Sequence, residues 1–393
     1  MDRIPVSLYI HFPWCIRKCP YCDFNSHEVR GELGPQRYLD ALTADFDLEA
    51  GKLLDREVGS IFLGGGTPSL FSGAEISRLL THIADRVSFA DAVEITLEAN
   101  PGTLESDAFD AYLEAGVNRL SLGIQSFNNT QLKILGRIHN SIEAEMAIRC
   151  AVNSGFTNIN LDLMFALPDQ DLDQALDDCA RALTFGTTHL SFYELTIEPN
   201  TLFYSSPPTC PDEDMQHEMQ EAIAELLETS GYHRYEVSAY SIPGHECRHN
   251  LNYWQFGDYL GIGAGAHSKW TTADAVERCW KEKRPETFMQ KIEAGTHVRN
   301  TSIVSGEDLL FEYMLNALRL RDGFSFRDFV RSTGLHEADA RAALDPFTGC
   351  GWITLDNSGA YLSESGYRFI DEILQSLLPE PAMVGHPGHN LSA

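Results

Sequence analysis

The chain has 393 residues, with 29 Lys and Arg against 57 Asp and Glu, which gives a formal net charge of −28. This excess of negative charge argues against nucleic-acid binding, which needs cations to neutralise phosphates, and against adsorption to an anionic membrane surface. No apolar run is long enough to span a bilayer, the N-terminus lacks a signal-peptide layout, and an odd cysteine count without paired spacing is typical of a reducing compartment, so we predict a cytoplasmic protein.

Predicted strands and helices alternate along the first 240 residues. The strands are short, apolar and rich in β-branched residues, and they are Ser7–Phe12, Val58–Leu63, Val93–Glu98, Arg119–Ile124, Ile159–Phe165, His189–Ile197 and Tyr235–Tyr240. Segments with helical periodicity lie near 36–54, 74–86, 105–115, 129–135, 141–154, 171–185 and 212–230. The alternation indicates an α/β fold with a parallel sheet. About six repeats favour a partial TIM-type barrel, (βα)6, although an open doubly wound sheet would show the same alternation.

Directly after the first predicted strand comes a CxxxCxxC motif formed by Cys15, Cys19 and Cys22. Three closely spaced thiolates can hold three irons of a 4Fe-4S cluster and leave the fourth iron open to a ligand. Zinc is the alternative, because His11 or His27 could complete a tetrahedral site. No second cysteine pair is available for such a site, so we favour the iron–sulfur cluster.

The second predicted strand is followed by the glycine run Gly64–Pro68. Glycines allow backbone groups to approach a ligand without an intervening side chain, although the same run also suits a tight turn. Polar residues follow at or near the next strand ends, where a barrel places its active site. They are Glu98, Gln125, Arg137 and Asp162, and each of them alone could be an ordinary polar residue.

Tyr9 to Cys22, taken with Gly64–Pro68, resembles the radical S-adenosylmethionine (SAM) superfamily. The chain is similar in particular to the branch that holds oxygen-independent coproporphyrinogen III oxidases and the HemW-type heme chaperones, over about residues 5 to 375. The resemblance implies that the open iron binds SAM and that an electron from the cluster cleaves its sulfonium to give a 5′-deoxyadenosyl radical. It also implies SAM contacts by Tyr9, Tyr21, Gly66, Thr67, Glu98, Gln125, Arg137 and Asp162.

Two features separate the chaperones from the oxidases within this resemblance. The oxidases usually carry a fourth cysteine two residues after the third, and here that position is Phe24. The segment HNxxY, formed by His249, Asn250 and Tyr253, marks the heme site in HemW-like proteins. The resemblance therefore implies that His249 ligates heme iron while Asn250 and Tyr253 orient the heme. The alternatives are a structural histidine, or a metal site that uses the nearby His245 or Cys247.

Beyond residue 240 the sequence predicts three further parts. Residues 241–300 form a less regular connecting region that carries the heme motif, and residues 301–378 form a mostly helical, winged-helix-like domain. That domain has 6 Lys and Arg against 12 Asp and Glu between residues 301 and 376, so we predict a packing or lid role instead of nucleic-acid binding. The Pro- and Gly-rich tail, 379–393, is predicted to be disordered.

The resulting hypothesis is a heme chaperone with a 4Fe-4S cluster and SAM. It would bind heme and hand it to an acceptor protein, for which a respiratory protein is the candidate, and a reductant protein would serve the cluster. SAM and the cluster could support formation of a homodimer. The alternatives are an oxygen-independent coproporphyrinogen III oxidase and a non-catalytic zinc-binding structural protein, and the sequence leaves open whether SAM is cleaved.

Overall fold

A sheet of twelve strands organises most of the chain in this computed structural model, which describes residues 4–31, 33–103, 106–272, 275–296 and 299–379. The strands are β1 (Val6–Phe12), β2 (Trp14–Cys15), β3 (His27–Glu28), β4 (Val58–Gly65), β5 (Phe89–Ala99), β6 (Arg119–Gln125), β7 (Ile159–Phe165), β8 (His189–Glu194), β9 (His233–Arg234), β10 (Ala239–Ser241), β11 (Asp258–Ile262), β12 (His267–Thr271), β13 (Val276–Lys281), β14 (Arg299–Val304), β15 (Phe324–Ser325), β16 (Ile353–Leu355) and β17 (Gly359–Leu362).

The helices that connect and flank these strands are α1 (Pro35–Glu49), α2 (Gly73–Ala84), α3 (Ser106–Glu114), α4 (Asn129–Ile134), α5 (Ser141–Asn153), α6 (Leu172–Leu183), α7 (Leu202–Ser205), α8 (Glu213–Thr229), α9 (Arg248–Trp254), α10 (Pro285–Glu293), α11 (Gly306–Ala317), α12 (Phe326–Thr333), α13 (Glu337–Leu344), α14 (Glu364–Arg368) and α15 (Ile370–Ser376). Within the described parts of the chain, no helix combines the length and the apolar character that a membrane crossing requires.

Six parallel strands form the centre of the large sheet in the order β1-β4-β5-β6-β7-β8. Each strand lies beside the next strand of this series along the chain, whereas a doubly wound sheet reverses its strand order part of the way across. The consecutive order confirms the α/β prediction and agrees with the winding of a partial barrel. Among the described residues β1 pairs on its other edge with β11 and not with β8, so no closed barrel is seen.

The two faces of the parallel strands differ in polarity. On β1, Leu8, Ile10 and Phe12 are fully buried in the main apolar core, which the outer helices share. The alternate residues Ser7 and Tyr9 point to the inner face, where the Ser7 hydroxyl contacts the hydroxyl of Ser60 on β4 over 2.7 Å. Because side chains alternate along a strand, one face builds the core and the other lines the site.

The outer helices have well-defined ends. Ser72, Asn140 and Asp171 begin α2, α5 and α6, and each forms a capping box with the residue three positions later. Gly116 and Gly155 follow α3 and α5 with φ of 99° and 95°, directly after the helical segments predicted near 105–115 and 141–154. These caps fix where each helix starts and stops, and so how the loops at the strand ends are placed.

The predicted strands were wrong for the part of the chain after residue 230, which forms both edges of the large sheet. The seventh predicted strand, Tyr235–Tyr240, is replaced by two short antiparallel strands, β9 and β10. Residues 241–300, predicted as irregular, contribute β11 to β13 and extend the sheet beyond β1. Their pattern was missed because β11 contains Gly261, where a Cβ atom would lie 2.0 Å from the His267 carbonyl oxygen. In a sequence a glycine usually indicates a turn, but Gly261 instead allows β11 and β12 to approach each other closely.

The C-terminal residues fold around a second apolar core. Tyr313, Phe324 and Phe329 pack there with ring centroids 4.9 to 5.2 Å apart, and Phe256 from the connecting region joins them. Helices α11 to α13 and the sheet β15-β17-β16 give the predicted winged-helix-like order, and two short helices, α14 and α15, follow on either side of Phe369. The four-part domain division stays a prediction, and the predicted tail lies outside the described residues from 380 onwards.

Candidate functional site

The three cysteines of the CxxxCxxC motif lie on one loop at the carboxyl end of β1. Cys15 ends β2, which pairs in parallel with β3, and a turn closes from the Cys22 N–H to the Cys19 carbonyl oxygen over 3.2 Å. All three cysteines are half-buried. Burial raises the pKa of the Cys15 and Cys22 thiols, so their thiolate forms need nearby cations or a metal to be populated at neutral pH.

Cations and a hydroxyl group surround these thiols. The Arg137 guanidinium places Nη1 3.7 Å from the Cys19 Sγ atom, and the Ser26 hydroxyl lies 3.7 Å from the Cys22 Sγ atom. The Lys18 ammonium group donates to two carbonyl oxygens of the same loop, over 2.9 and 3.3 Å. Three thiols on one folded loop, with positive charge beside them, fit three corners of a 4Fe-4S cluster.

The glycine run holds the cysteine loop against β4. The Gly66 N–H donates to the Phe12 carbonyl oxygen over 2.7 Å, and the Thr67 N–H donates to the Trp14 carbonyl oxygen over 2.8 Å. A Cβ atom on Gly66 would lie only 2.6 Å from that Trp14 oxygen. Backbone atoms cannot yield as a flexible side chain can, so only glycine fits at this contact.

We expect Gly66→Ala to disrupt the cysteine loop and to weaken SAM binding by at least about tenfold, because the added methyl group forces two backbones apart. The measurements are iron content after anaerobic reconstitution and the Kd for SAM. Gly349→Ala is the matched control, since a Cβ atom there meets nothing within 4 Å. Normal SAM binding by the Gly66 variant would show that the contact between the loop and the glycine run is dispensable.

Two carboxyl groups on β5 and β7 lie close enough to interact electrostatically. Glu98 on β5 accepts a hydrogen bond from the Gly65 N–H over 2.9 Å. Asp162 on β7 accepts from the Ser121 hydroxyl over 2.7 Å and from the Asn160 amide over 2.8 Å. Burial, with the negative charge of Asp162, raises the pKa of Glu98 to about 7. A carboxyl group near half-protonation at neutral pH gains most from a positively charged ligand.

We therefore expect the affinity for SAM to fall as the pH drops from 7 towards 5, approaching about tenfold per pH unit, because protonated Glu98 no longer attracts an ammonium group. The measurement is the Kd for SAM against pH. Glu98→Gln should bind more weakly at pH 7.5 and lose the slope. His11 and His139 do not titrate in this window, since burial lowers the pKa of each to about 4. A slope that persists in Glu98→Gln would assign it to another carboxyl group, either Asp162, whose pKa burial raises, or Asp178, whose pKa burial raises to about 6.

Arg137 connects the cysteine loop to the strand ends. Its Nη2 atom donates to the Gly123 carbonyl oxygen over 2.8 Å and to the Asn100 side-chain oxygen. The Asn100 amide in turn donates to the Thr67 hydroxyl over 3.0 Å. A Cβ atom on Gly123 would lie 2.8 Å from that Asn100 oxygen and 3.0 Å from Nε2 of Gln125, so this glycine leaves room where three polar side chains converge.

Gln125 is the last residue of β6 and has a left-handed backbone, with φ of 69°. Such a conformation is uncommon for a residue other than glycine and is found at functional sites. The Tyr193 hydroxyl on β8 donates to the Gln125 side-chain oxygen and holds the amide in place. Tyr193 and Asn100 were missed from the sequence. Asn100 could have been found from its position directly after a strand end. Tyr193 could not, because the predicted strand extended to Ile197 and Tyr193 did not appear near its end, whereas β8 ends at Glu194.

The remaining predicted SAM contacts lie at the edges of this group. The Tyr9 hydroxyl bonds to Nδ1 of His11 over 2.9 Å, and Nε2 of His11 bonds to the Asn25 carbonyl oxygen over 2.9 Å. Both ring nitrogens of His11, which we had considered as a zinc ligand, are therefore occupied. Tyr21 packs beside Phe203 with ring centroids 6.4 Å apart. The assignment of SAM contacts stays a prediction, and most of the residues converge at the carboxyl ends of β1 and β4 to β7.

The HNxxY segment forms α9, which lies nearer the amino ends of β1 and β4. His249 is 2% exposed, and its ring stacks on Phe62 with centroids 4.9 Å apart. Its Nδ1 bonds to the Ser60 hydroxyl and its Nε2 to the Tyr253 hydroxyl, each over 3.1 Å. The Tyr9 ring lies 6.3 Å from the His249 ring, between α9 and the cysteine loop. Apart from Tyr9, which lies between them, the residues of the two predicted sites therefore occupy different parts of the same strands.

A buried carboxylate, Glu94 on β5, anchors the start of α9. Its oxygens accept hydrogen bonds from the N–H groups of Arg248 and His249, each over 3.2 Å, and from the Cys247 thiol over 3.6 Å. A negative charge at a helix N-terminus is favourable because it meets unpaired N–H groups and the helix dipole. Sequence reasoning missed this role, since Glu94 lies inside a strand 153 residues before Cys247.

Burial lowers the pKa of His249 to about 3, so its imidazole is neutral, as a ligand of heme iron must be. Coordination would nevertheless require one ring nitrogen to exchange its present hydrogen bond for iron. Tyr253 and the half-buried Asn250 lie on the same short helix. The assignment of these three residues to heme stays a prediction.

Comparisons with known proteins identify the family. Residues 9–180 match the radical SAM superfamily, and residues 304–369 match the HemN C-terminal domain. Proteins named heme chaperone HemW are similar over nearly the whole chain. The relative from Escherichia coli is 46% identical and covers 96% of this chain and 99% of its own. That from Haemophilus influenzae is 43% identical, covering 96% and 98%, and that from Bacillus subtilis is 33% identical, covering 95% and 99%.

A solved structure shares the fold. Coproporphyrinogen III oxidase (HemN) from Escherichia coli, described as a radical SAM enzyme, superposes with a TM-score of 0.80 and covers 95% of this chain and 90% of its own, at 24% identity. At that identity the likeness concerns the fold alone. Since its curated relatives match almost their entire length, the chain belongs to the HemW family of heme chaperones within the radical SAM superfamily.

Proposed function

We propose that this protein is a heme chaperone, which binds heme and transfers it to an acceptor protein. The observation that carries the proposal is the near-complete similarity to proteins named heme chaperone HemW. Phe24 supports it, because it stands 54% exposed on the cysteine loop where the resembled oxidases carry a fourth cysteine. The HNxxY helix provides a neutral imidazole for heme iron.

Within this proposal the cysteine loop holds a 4Fe-4S cluster, and the strand ends beside it hold SAM. The bound cluster would supply one-electron chemistry at the sulfonium of SAM. Arg137 and Glu98 are suited to the carboxylate and ammonium groups of its methionine part, because a guanidinium forks onto a carboxylate and a buried carboxylate attracts a cation. Gln125, held by Tyr193, and Asp162 are suited to the hydroxyl and amino groups of the adenosine part.

The separation of the two groups of residues limits what SAM can do to heme. α9 contacts Ser60 and Phe62 on β4, whereas the proposed SAM residues other than Tyr9 lie nearer the carboxyl ends of the strands. A radical formed at the sulfonium would have Tyr9 and Phe62 between itself and His249. We therefore propose that SAM and the cluster regulate heme transfer and do not react with the heme.

Hemin titration of the reconstituted protein, followed by transfer to an apo-heme acceptor, tests the proposal. We expect a 1:1 complex with a Soret band and loss of that band as the acceptor is loaded. The same preparation, supplied with coproporphyrinogen, SAM and a reductant under anaerobic conditions, should form no protoporphyrinogen. Conversion of coproporphyrinogen without stable heme binding would overturn the chaperone assignment in favour of an oxidase.

A further inference from the structure

Most Lys and Arg side chains of this acidic protein are engaged in ion pairs with carboxylates. Five cations near the cysteines are different. In the described parts of the chain, none of them has an ion pair within 4 Å: Arg17, Lys18, Arg30, Lys283 and Arg284. We call these residues the cluster-side basic patch. A few cations elsewhere, such as Lys133 and Arg234, also have no such pair among the described residues, but only the two loops beside the cysteines collect five of them in a chain of net charge −28.

Two loops bring the patch together beside the cluster ligands. Arg17 and Lys18 lie between Cys15 and Cys19 on the cysteine loop itself. The loop that contains Lys283 is joined to it by Asn25, whose amide donates to the Lys283 carbonyl oxygen over 2.9 Å and to the Ala264 carbonyl oxygen over 3.0 Å. The two loops therefore share one surface.

The surface of the patch also exposes large apolar side chains. Ile16 is 48% exposed and Phe24 is 54% exposed, both on the cysteine loop. Arg17, Arg30, Lys283 and Arg284 are exposed on the same two loops, where they outnumber the exposed carboxylates Asp23 and Glu28 of the cysteine loop. Protein interfaces combine an apolar centre with a charged rim, and neither Ile16 nor Phe24 belongs to either large apolar core of this protein.

We propose that the cluster-side basic patch docks an acidic one-electron donor protein, a flavoprotein or an iron–sulfur protein, that reduces the 4Fe-4S cluster. This inference rests on the proposed cluster at Cys15, Cys19 and Cys22. In the step, one electron leaves the reduced flavin or iron–sulfur group of the partner and takes the cluster from its 2+ to its 1+ charge state; no bond forms or breaks and no proton is required.

Charge complementarity selects this partner. An acidic protein is repelled by most of a surface with net charge −28, and only a local positive region can attract it and orient it. Here the positive region includes the loop that carries the proposed cluster ligands. A partner bound to this region would therefore have the cluster at its interface with the protein. Electrostatic steering of this kind raises the association rate and is weakened by salt.

The test compares Lys283→Glu/Arg284→Glu with the wild type, because these two side chains lie outside the cysteine loop. The partner probes are a reduced flavodoxin and a plant-type ferredoxin. At low ionic strength we expect the Kd of the complex to rise about tenfold and the rate of cluster reduction to fall about tenfold, with the salt dependence of both largely lost. Arg149→Glu/Arg331→Glu, which makes the same charge change on α5 and α12, should leave both values within about twofold of the wild type.

Reduction by dithionite separates docking from damage to the cluster. Normal iron content and normal dithionite reduction, with weak binding of the acidic donors, would support the patch as their docking surface. Unchanged donor binding would overturn the inference. Loss of hemin binding or of binding to anionic lipid vesicles, with donor binding intact, would also overturn it and assign the patch to heme propionates or to a membrane. Failure to assemble any cluster in the wild type would instead contradict the proposed function.

Discussion

Replacing Cys15, Cys19 or Cys22 by serine is expected to abolish the 4Fe-4S cluster, lowering bound iron from about four atoms per chain to fewer than about one. Each thiol supplies one of only three corners, and the cysteine loop has no fourth cysteine to take its place. The measurements are iron and sulfide content and the visible and electron paramagnetic resonance spectra after anaerobic reconstitution. SAM binding should be lost together with the cluster, since the open iron is one of its anchors.

Cys350→Ser is the matched control for these variants. Cys350 is exposed and its thiol donates only to the Phe347 carbonyl oxygen over 3.4 Å, so its replacement should leave the iron content unchanged. Cys247→Ser is a second control, because that thiol is buried against Glu94 and directly precedes α9. Cluster loss in Cys247→Ser, or zinc without iron in the wild type, would contradict the three-cysteine assignment.

His249→Ala is expected to remove the axial ligand of the heme, with a shift of the Soret band and an affinity for hemin at least about tenfold weaker. Iron ligation by an imidazole depends on the ring nitrogen, which alanine lacks. The measurements are the hemin titration and the transfer of heme to an apo-heme acceptor. SAM binding should persist in this variant, because the carboxyl ends of the strands retain their side chains.

His249 also packs on Phe62 and bonds to Ser60, so the alanine variant leaves a cavity and destabilises the fold by about 2 kcal/mol or more. His249→Gln keeps polar atoms in the ring position and separates iron ligation from this loss of packing. His233→Ala controls for the removal of an exposed histidine, since His233 lies on the short edge strand β9. Unchanged heme binding in a folded His249→Gln variant would exclude His249 as the ligand and direct attention to His245 or Cys247.

The parts of the molecule that are encoded locally could be predicted from the sequence. Three features depend only on residues close together in the sequence, and the structure places them as expected. They are the cysteine spacing, the glycine run and the alternation of strands and helices. Strand β11 could not be placed from the sequence because it pairs with β1, about 250 positions away. Within the described chain, strands β12 and β13 pair only with β11, β14 and each other, so they join the large sheet through β11.

The site shows the same division between local and distant information. Glu98 and Gln125 could be found because they end strands, but the partners that hold the site together, Asn100 and Tyr193, are specified by contacts between strands. The position of the heme motif could not be predicted at all. Nothing in the spacing of HNxxY indicates that His249 lies beneath Tyr9, because only the folded sheet brings residues 240 positions apart to within 6.3 Å.

The anchoring of α9 by Glu94 has a kinetic consequence. In the proposed heme complex, iron would reach His249 only when the imidazole exchanges a hydrogen bond, and the start of the helix that carries it is held by three hydrogen bonds to one carboxylate inside the sheet. The rates of heme binding and heme release would then be limited by a slow opening of α9, and they would not depend on the heme concentration. A chaperone of this kind would keep its heme while it diffuses and would release the heme only when contact with an acceptor protein loosens α9.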